Sequence, residues 1–292
     1  MVRKKKVFAT VALSSSSQDR RVISIAKQCL EVLSSQGMKV LLDESLSLLK
    51  SENRISKEKY IVSNSDLLVA IGGDGTMLNC SRKYGSQGIP ILGINLGNLG
   101  FLTDLAPEDL TSGLIKVLEG HYIEDKRFFL ETSISGNSEK YIALNEVVIH
   151  SGAIAQLIEF DLFINKVFVY RQKADGLIVS SPTGSTAYSL SGGGPIVHPD
   201  VDAFTLLPML PQSLSSSSLL VKTDSTIRVD LILSKQKGHI SFDSHDSLIL
   251  RGENQITIKK AKASLKLIHP KDHDFFASCR NKLGWSSGLK KN

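Results

Sequence analysis

At 292 residues the chain exceeds the roughly 100 to 200 residues of a common single domain, so two domains with separate cores are expected. With 41% apolar and 22% charged residues, and no run near the roughly 18 apolar residues of a membrane span, the composition excludes a disordered chain or a helical membrane protein. The net charge of +6 gathers at Arg3 to Lys6 and around Lys259, Lys260, Lys262 and Lys266 without interleaved aromatics to stack bases, so it points to solvated charge or small polyanions and not to nucleic acid.

The basic head Arg3 to Lys6 before apolar Val7 to Leu13 has the outline of a secretory leader. The apolar run contains Thr10, however, and leads into Ser14 to Ser17 and Gln18-Asp19-Arg20-Arg21 without an Ala-x-Ala site, so Val7 to Val11 reads as a first strand. Asp19 to Ser35 has the spacing of an amphipathic helix closed by Gly37. Val40 to Leu42, Leu67 to Ile71 and Pro90 to Leu96 read as strands, and Pro107 to Leu118 as a helix with Pro in its first turn and Gly120 past its end. This alternation predicts an α/β domain built on a Rossmann-like parallel sheet.

Beyond about residue 125 the pattern changes to short β-type runs: Phe128 to Ile134, Ile142 to Ile149, Ile158 to Ile164, Ile227 to Leu233 and Ile256 to Ile258, with a polar loop at Ser213 to Ser218. An all-β domain is expected there. The predicted divisions are residues 1–124 for the α/β domain, 125–268 for the all-β domain, and a C-terminal segment 269–292, ending near Lys282-Leu283-Gly284-Trp285, that packs back on the first domain. Three scattered cysteines, Cys29, Cys80 and Cys279, make no C-x-x-C pair, which favours a cytoplasmic, reducing setting over a disulfide framework or a cysteine zinc site.

Gly72-Gly73-Asp74-Gly75-Thr76 follows the buried-type strand Leu67 to Ile71 and precedes a helix-compatible run, Met77 to Tyr84. Three glycines in five residues bring backbone N–H groups close to a ligand, and the helix start behind them favours anions, so phosphate is the expected guest. An aspartate there repels phosphate and needs its own purpose: polarising an attacking hydroxyl, or holding a Mg²⁺ that neutralises the phosphates. The plainer reading is a turn whose Asp74 caps the helix. No G-x-x-x-x-G-K-[ST] is present, and Gly93-Ile94-Asn95-Leu96-Gly97-Asn98-Leu99-Gly100 lacks the G-x-G-x-x-G spacing, which removes P-loop and hydride-transfer readings.

A second stretch, Asp175 to Pro195, runs from a buried strand into hydroxyls, glycines and Tyr188, donors and a flat face suited to a purine or nicotinamide; a glycine- and serine-rich turn is the alternative. Asn145-Glu146 stands between the two stretches at a strand start. His269-Pro270-Lys271-Asp272-His273 carries histidines at i, i+4, but Pro270 argues against the helix that zinc-protease chemistry needs, and no dedicated metal site is predicted. The Ser185 region lacks G-x-S-x-G, so a serine hydrolase is not supported.

In this order and spacing the three stretches resemble the NAD kinase family over Val7 to Trp285. GGDGT is shared with lipid kinases, whereas the stretch from Asp175 to Val197 is the more specific. The resemblance implies phosphoryl transfer from ATP or another donor to the 2′-hydroxyl of the adenosine ribose of NAD, with Mg²⁺, and a homodimer or homotetramer with NAD held between its domains. It implies Asp74 as proton acceptor, with Gly72, Gly73, Gly75 and Thr76 at the donor phosphates. Asn145 and Glu146 would contact adenosine, and Lys173, Asp175, Thr186, Ala187, Tyr188, Ser189, Leu190 and Ser191, with Gln156 and His245, would line the rest of the dinucleotide site. Gln156, His245 and Ser217-Ser218 depart from commoner family residues. A lipid kinase, which would need a membrane-binding surface not apparent here, and a non-catalytic NAD(H) sensor are the alternatives.

Overall fold

In the computed structural model, which describes residues 7–49, 55–97, 100–152, 156–213, 216–233 and 237–285, the chain divides at two points. Residues up to Lys126 and those from Ser264 onward make one unit, and Arg127–Ala263 the other. Both divisions fall inside long strands, Tyr122–Ile134 and Asn254–Pro270, so a change in sequence texture locates them only to within a few residues of 124 and 268.

The first unit runs through β1 (Thr10–Ser14), α1 (Arg20–Ser35), β2 (Lys39–Asp43), β3 (Ile55–Ser56), α2 (Glu58–Asn64), β4 (Leu67–Ile71), α3 (Asp74–Lys83), β5 (Ile91–Ile94) and α4 (Leu110–Leu118). Its strands lie in the order β3-β2-β1-β4-β5, all parallel, with Leu267 and Ile268 beside Ile91 and Leu92. Strand order reverses between β1 and β4, and open α/β sheets bind ligands at the carboxyl ends of strands flanking such a reversal. β4 is buried at every position, as a strand covered on both faces must be. α1 buries Val22, Ile25, Ala26, Cys29, Val32 and Leu33 along one stripe. It is capped by Asp19, whose carboxylate accepts from the Arg21 and Val22 amides at 2.9 Å each.

Several elements of the first unit differ from the sequence expectation. β1 starts at Thr10 and not Val7, because Asp66 Oδ2 takes the Ala9 and Thr10 amides at 2.9 and 2.8 Å and pairing with β4 begins at Val11. α3 starts at Asp74 itself, inside the glycine loop. The helix expected from Pro107 opens with a 3-10 turn, Pro107–Asp109, and becomes α-helical from Leu110.

The second unit contains β6 (Tyr122–Ile134), β7 (Lys140–Ala143), β8 (Glu146–His150), β9 (Ile158–Ile164), β10 (Val167–Ala174), β11 (Gly176–Ser180), the short α5 (Tyr188–Ser191), β12 (Ala203–Met209), β13 (Leu219–Lys222), β14 (Ile227–Ile232), β15 (Lys237–Phe242), β16 (Asp246–Arg251) and the first part of β17 (Asn254–Pro270). One antiparallel sheet has the order β13-β12-β11-β8-β15-β16; β10, β9, β14 and residues 254–258 form a second antiparallel layer. Phe160, Leu177, Phe204, Val229, Ile240 and Phe242 share the core. The predicted run Ile142 to Ile149 is two strands, broken at Leu144-Asn145. The predicted Ile256 to Ile258 is the start of a strand reaching Pro270, whose lysines hid the pattern. α6 (Phe275–Leu283) returns to the first unit, capped by Asp274 and closed by Gly284 in the left-handed region.

No described helix is long and apolar enough to cross a membrane. All three cysteines are free and buried, and burial pushes the Cys29 and Cys80 thiols up to about 12, which leaves them unreactive.

Gly93 of β5 lets the segment at 102–105 lie flat on the strand. A Cβ there would stand 2.9 Å from the Leu102 carbonyl oxygen and 3.0 Å from Thr103 Cα. Gly93→Ala is therefore expected to lower stability by about 1–3 kcal/mol, the cost of overpacking, read as a shifted midpoint in urea unfolding; an unchanged midpoint would mean that the segment yields freely.

Candidate active site

The turn after β4 is built around glycine. A Cβ on Gly72 would meet Thr76 Oγ1 at 2.2 Å, and the Gly72 amide is already spent on the Ile94 carbonyl at 2.9 Å, so Gly72 shapes the turn and does not offer its N–H to a ligand. Gly73 and Gly75 are exposed, and a Cβ on either meets nothing within 4 Å. The space beside them is open, and a helix start leaves its first amides without intrahelical partners, which suits a phosphate; the Thr76 amide is spent on the Gly73 carbonyl at 3.0 Å. Thr76 is buried under the turn.

Asp74 does not cap α3. Its carboxylate turns to a different segment, accepting from the Phe101 amide on Oδ2 at 3.0 Å and the Leu102 amide on Oδ1 at 3.1 Å. Lys282 of α6 donates to Oδ2 at 3.1 Å and lies 4.8 Å from the Phe101 ring centroid. Gly100 clears room for this: a Cβ there would stand 2.2 Å from Asp74 Oδ1. A carboxylate has about four lone-pair sites, so three donors hold it rigidly and leave one acceptor position for a substrate hydroxyl. Gly100, Phe101 and Lys282 carry no local motif that marks them for this task, and only the fold brings them to Asp74.

In the second unit, the Asn145-Glu146 corner is organised by Asp243. The Asp243 carboxylate accepts from the Leu144, Asn145 and Glu146 amides at 2.9, 2.7 and 3.3 Å, which interrupts the strand and turns both side chains. The Asn145 carbonyl accepts from the Ser181 amide at 2.8 Å and from Ser180 Oγ at 3.3 Å. Gly184 fits only because it lacks a Cβ, which would stand 2.3 Å from the Asn145 carbonyl oxygen. Asn145 Oδ1 and Glu146 Oε2 are buried without a hydrogen-bond partner among the described residues. Such groups cost free energy unless a ligand satisfies them. Burial, with the charge of Asp243 added, raises the Glu146 carboxyl to about 8, so near neutrality it can donate a hydrogen bond as well as accept one.

The Ser- and Gly-rich stretch divides in two. Ser180, Ser181 and Ser185 are buried and spend their hydroxyls on nearby carbonyls, so their density is partly a folding device. Asp175 and Tyr188 line one cavity of about 410 Å³ with His150, Ser151, Ser241 and Ser244. His150 stacks on His239, with centroids 5.5 Å apart; no sequence pattern singled out this pair. Thr186 and Ala187 are half-buried at the end of a 3-10 turn, Ser189 is buried with an unpartnered Oγ, and Leu190 and Ser191 finish α5. Of the residues predicted for the dinucleotide site, only Asp175 and Tyr188 are among those lining this cavity. Lys173 pairs with Glu159 at 3.4 Å in a separate groove, and Gln156 and His245 are exposed.

The family comparisons follow this geometry. The ATP-NAD kinase N-terminal domain matches residues 11–122 and the ATP-NAD kinase C-terminal domain residues 144–270. The chain belongs to the ATP-NAD kinase family. Among its relatives, the NAD kinase of Teredinibacter turnerae is 41% identical over 96% of this chain and 98% of its own, and that of Klebsiella pneumoniae is 45% identical over 88% and 90%. Yeast NADH kinase, solved with NADH, superposes with a TM-score of 0.84 at 26% identity, covering 97% of this chain and 89% of that one. An Archaeoglobus fulgidus NAD kinase solved with ATP gives 0.73 at 28% identity, covering 96% and 100%. Membership of the ATP-NAD kinase family favours neither a lipid kinase nor a turnover-free sensor.

The raised Glu146 carboxyl has a thermodynamic consequence. A folded-state value of about 8 against the ordinary 4.5 of a solvated glutamate means that the folded chain keeps a proton which the unfolded chain releases. Its stabilising contribution is complete below about 4.5 and is lost as pH rises toward about 8. Glu146→Gln should therefore flatten the fall in unfolding free energy between about pH 5 and about pH 8, measured by urea titration at both; parallel wild-type and variant slopes would mean that Glu146 is solvated and ionised.

Proposed function

We infer that the chain transfers the terminal phosphoryl group of ATP to the 2′-hydroxyl of the adenosine ribose of NAD, forming NADP. The observation that carries this reading is the Asp74 carboxylate, held by two backbone amides and Lys282 at the carboxyl end of β4 beside the strand-order reversal, in a chain whose two halves match both domains of the family.

In-line phosphoryl transfer asks a protein for positioning and charge neutralisation and little covalent chemistry. Asp74 orients the attacking hydroxyl and takes its proton as the oxygen bonds to phosphorus and the bond to the ADP oxygen breaks. Gly73, Gly75 and the first amides of α3 receive the donor phosphates, while Gly72 and Thr76 hold the turn. Asn145 and Glu146 offer unsatisfied buried oxygens to the adenosine ribose, and Tyr188 and Asp175 contact the dinucleotide in their cavity. The stretch Thr186 to Ser191 carries Tyr188 to that cavity. Lys173, paired with Glu159 in a separate groove, and the exposed Gln156 and His245 lie outside that lining and take no part in it.

Asp74 already accepts from three donors, one an ammonium, and no second carboxylate joins it in the glycine turn. These residues offer no dedicated metal site, so the Mg²⁺ of the reaction would be held by the donor's phosphates and would neutralise their charge. A cytoplasmic setting fits the three buried free thiols. A homodimer or homotetramer is expected, for which exposed Val167, Phe168 and Val169 on β10 offer an apolar contact.

Incubation with NAD, ATP and Mg²⁺ should yield NADP, detected with an NADP-specific dehydrogenase. Asp74→Ala should lower kcat by roughly 10² to 10⁴ while leaving the fold intact; no NADP from the wild type would overturn the reaction, and near-normal turnover in the variant would overturn the role of Asp74. Lys282→Met, which removes the ammonium but keeps bulk, should lower kcat roughly 10- to 100-fold with less change in KM, as displaced catalytic groups do. Lys282→Arg should recover part of it. Unchanged kcat in Lys282→Met would reduce the contact to a surface ion pair.

A further inference from the structure

A cluster that the proposed reaction leaves unused lies at the end of β17. His269 is 1% exposed, and its Nδ1 meets Asp104 Oδ2. His273 Nδ1 stands 2.8 Å from the other oxygen, Oδ1. The two rings stack with centroids 4.0 Å apart, so two imidazole nitrogens converge on one carboxylate. One ligand atom from each of the three residues lies within 4.8 Å of the others. Behind His269, Nε2 is 3.4 Å from Asp125 Oδ2, without the alignment of a hydrogen bond.

Without a cation, a protonated His269 donates from Nδ1 to Asp104 and turns Nε2–H toward Asp125, while a neutral His273 donates its Nδ1 proton to the other Asp104 oxygen. A cation at the two Nδ1 atoms would take the place of those protons: each ring would bind as neutral imidazole, and His269 would keep its proton on Nε2, toward Asp125. A carboxylate behind the outer nitrogen is the usual support of a metal-bound histidine.

We propose that Asp104, His269 and His273 form a binding site for one Zn²⁺-class divalent ion. Two imidazole nitrogens and one carboxylate oxygen are a donor set for zinc with an open fourth position. Zinc bonds of about 2.0–2.2 Å place neighbouring donors about 3.4 Å apart, so small side-chain shifts seat the ion, which displaces the protons now shared with Asp104. Asp104 also lines a cavity of about 530 Å³ with Pro270, Lys271 and Asp272, which gives solvent access to the fourth position. The i, i+4 histidines need no helix here, because a turn closed by the His273 amide on the Pro270 carbonyl at 3.1 Å brings the rings together. The third ligand comes from the segment whose amides hold Asp74, so the ion would brace that segment against the residues leading into α6.

The full chain, stripped with a chelator and equilibrated with Zn²⁺ alone, should retain one ion per chain through gel filtration, and Co²⁺ in its place should give the visible absorption of a low-coordinate site. His273→Gln is partly solvent-facing and should fold; it should bind Zn²⁺ at least roughly tenfold more weakly and lose the Co²⁺ spectrum, as should Asp104→Asn. His239→Gln, at the stacked pair of the second unit, should bind as the wild type does. No retained Zn²⁺, equal binding by His273→Gln, or loss of binding only in His239→Gln would each overturn the assignment.

Discussion

The first unit is organised around one restrained carboxylate. Asp74 stands at the first turn of α3, where its own helix offers unpaired amides, yet its oxygens go to Phe101, Leu102 and Lys282. A capping aspartate would lie back over its helix and lose reach. Held from the other side, it leaves the helix amides to an anion and keeps an oxygen available to a hydroxyl. The remaining features of the first unit serve that restraint: Gly72 makes the turn, Gly100 clears the space, and Gly93 lets the 102–105 segment lie against β5.

The second unit uses the same device for a different end. Asp243 takes three consecutive amides, breaks what would have been one strand, and turns Asn145 and Glu146 so that each keeps a buried oxygen unsatisfied. Asp66 does it again on a smaller scale, taking the Ala9 and Thr10 amides and setting where β1 begins. In all three cases a carboxylate supplies the acceptor that irregular backbone lacks. Stability is thereby spent on holding polar groups in place, and the raised Glu146 carboxyl is the residue of that compromise.

Much of the architecture was legible in the order of residues. α1 declared itself by its apolar spacing and Asp19 cap, β4 by five consecutive apolar residues, and the β-rich second half by short runs between turns. The glycine turn and the stretch from Asp175 to Pro195 marked the site because close backbone approach and dense hydroxyls have few other uses. Reading every hydroxyl as a ligand group was too generous, however: Ser180, Ser181 and Ser185 tie the loop to its own carbonyls. Short elements without a strong period, α2 and α6, left no signal, since tertiary packing and not propensity stabilises them.

The sequence by itself determined the family, the class of each domain and the position of the aspartate in its glycine turn, because periodicity, glycine spacing and cap residues act within a few residues of one another. Only the tertiary structure decided that Asp74 looks away from its helix, that Lys282 and Phe101 attend it, that Asp243 shapes the Asn145-Glu146 corner, and that Asp104 meets His269 and His273. Those partners lie far apart along the chain, and their contacts exist only after parallel strands and a returning C-terminal helix have closed the distance; no local pattern encodes a meeting that the topology makes.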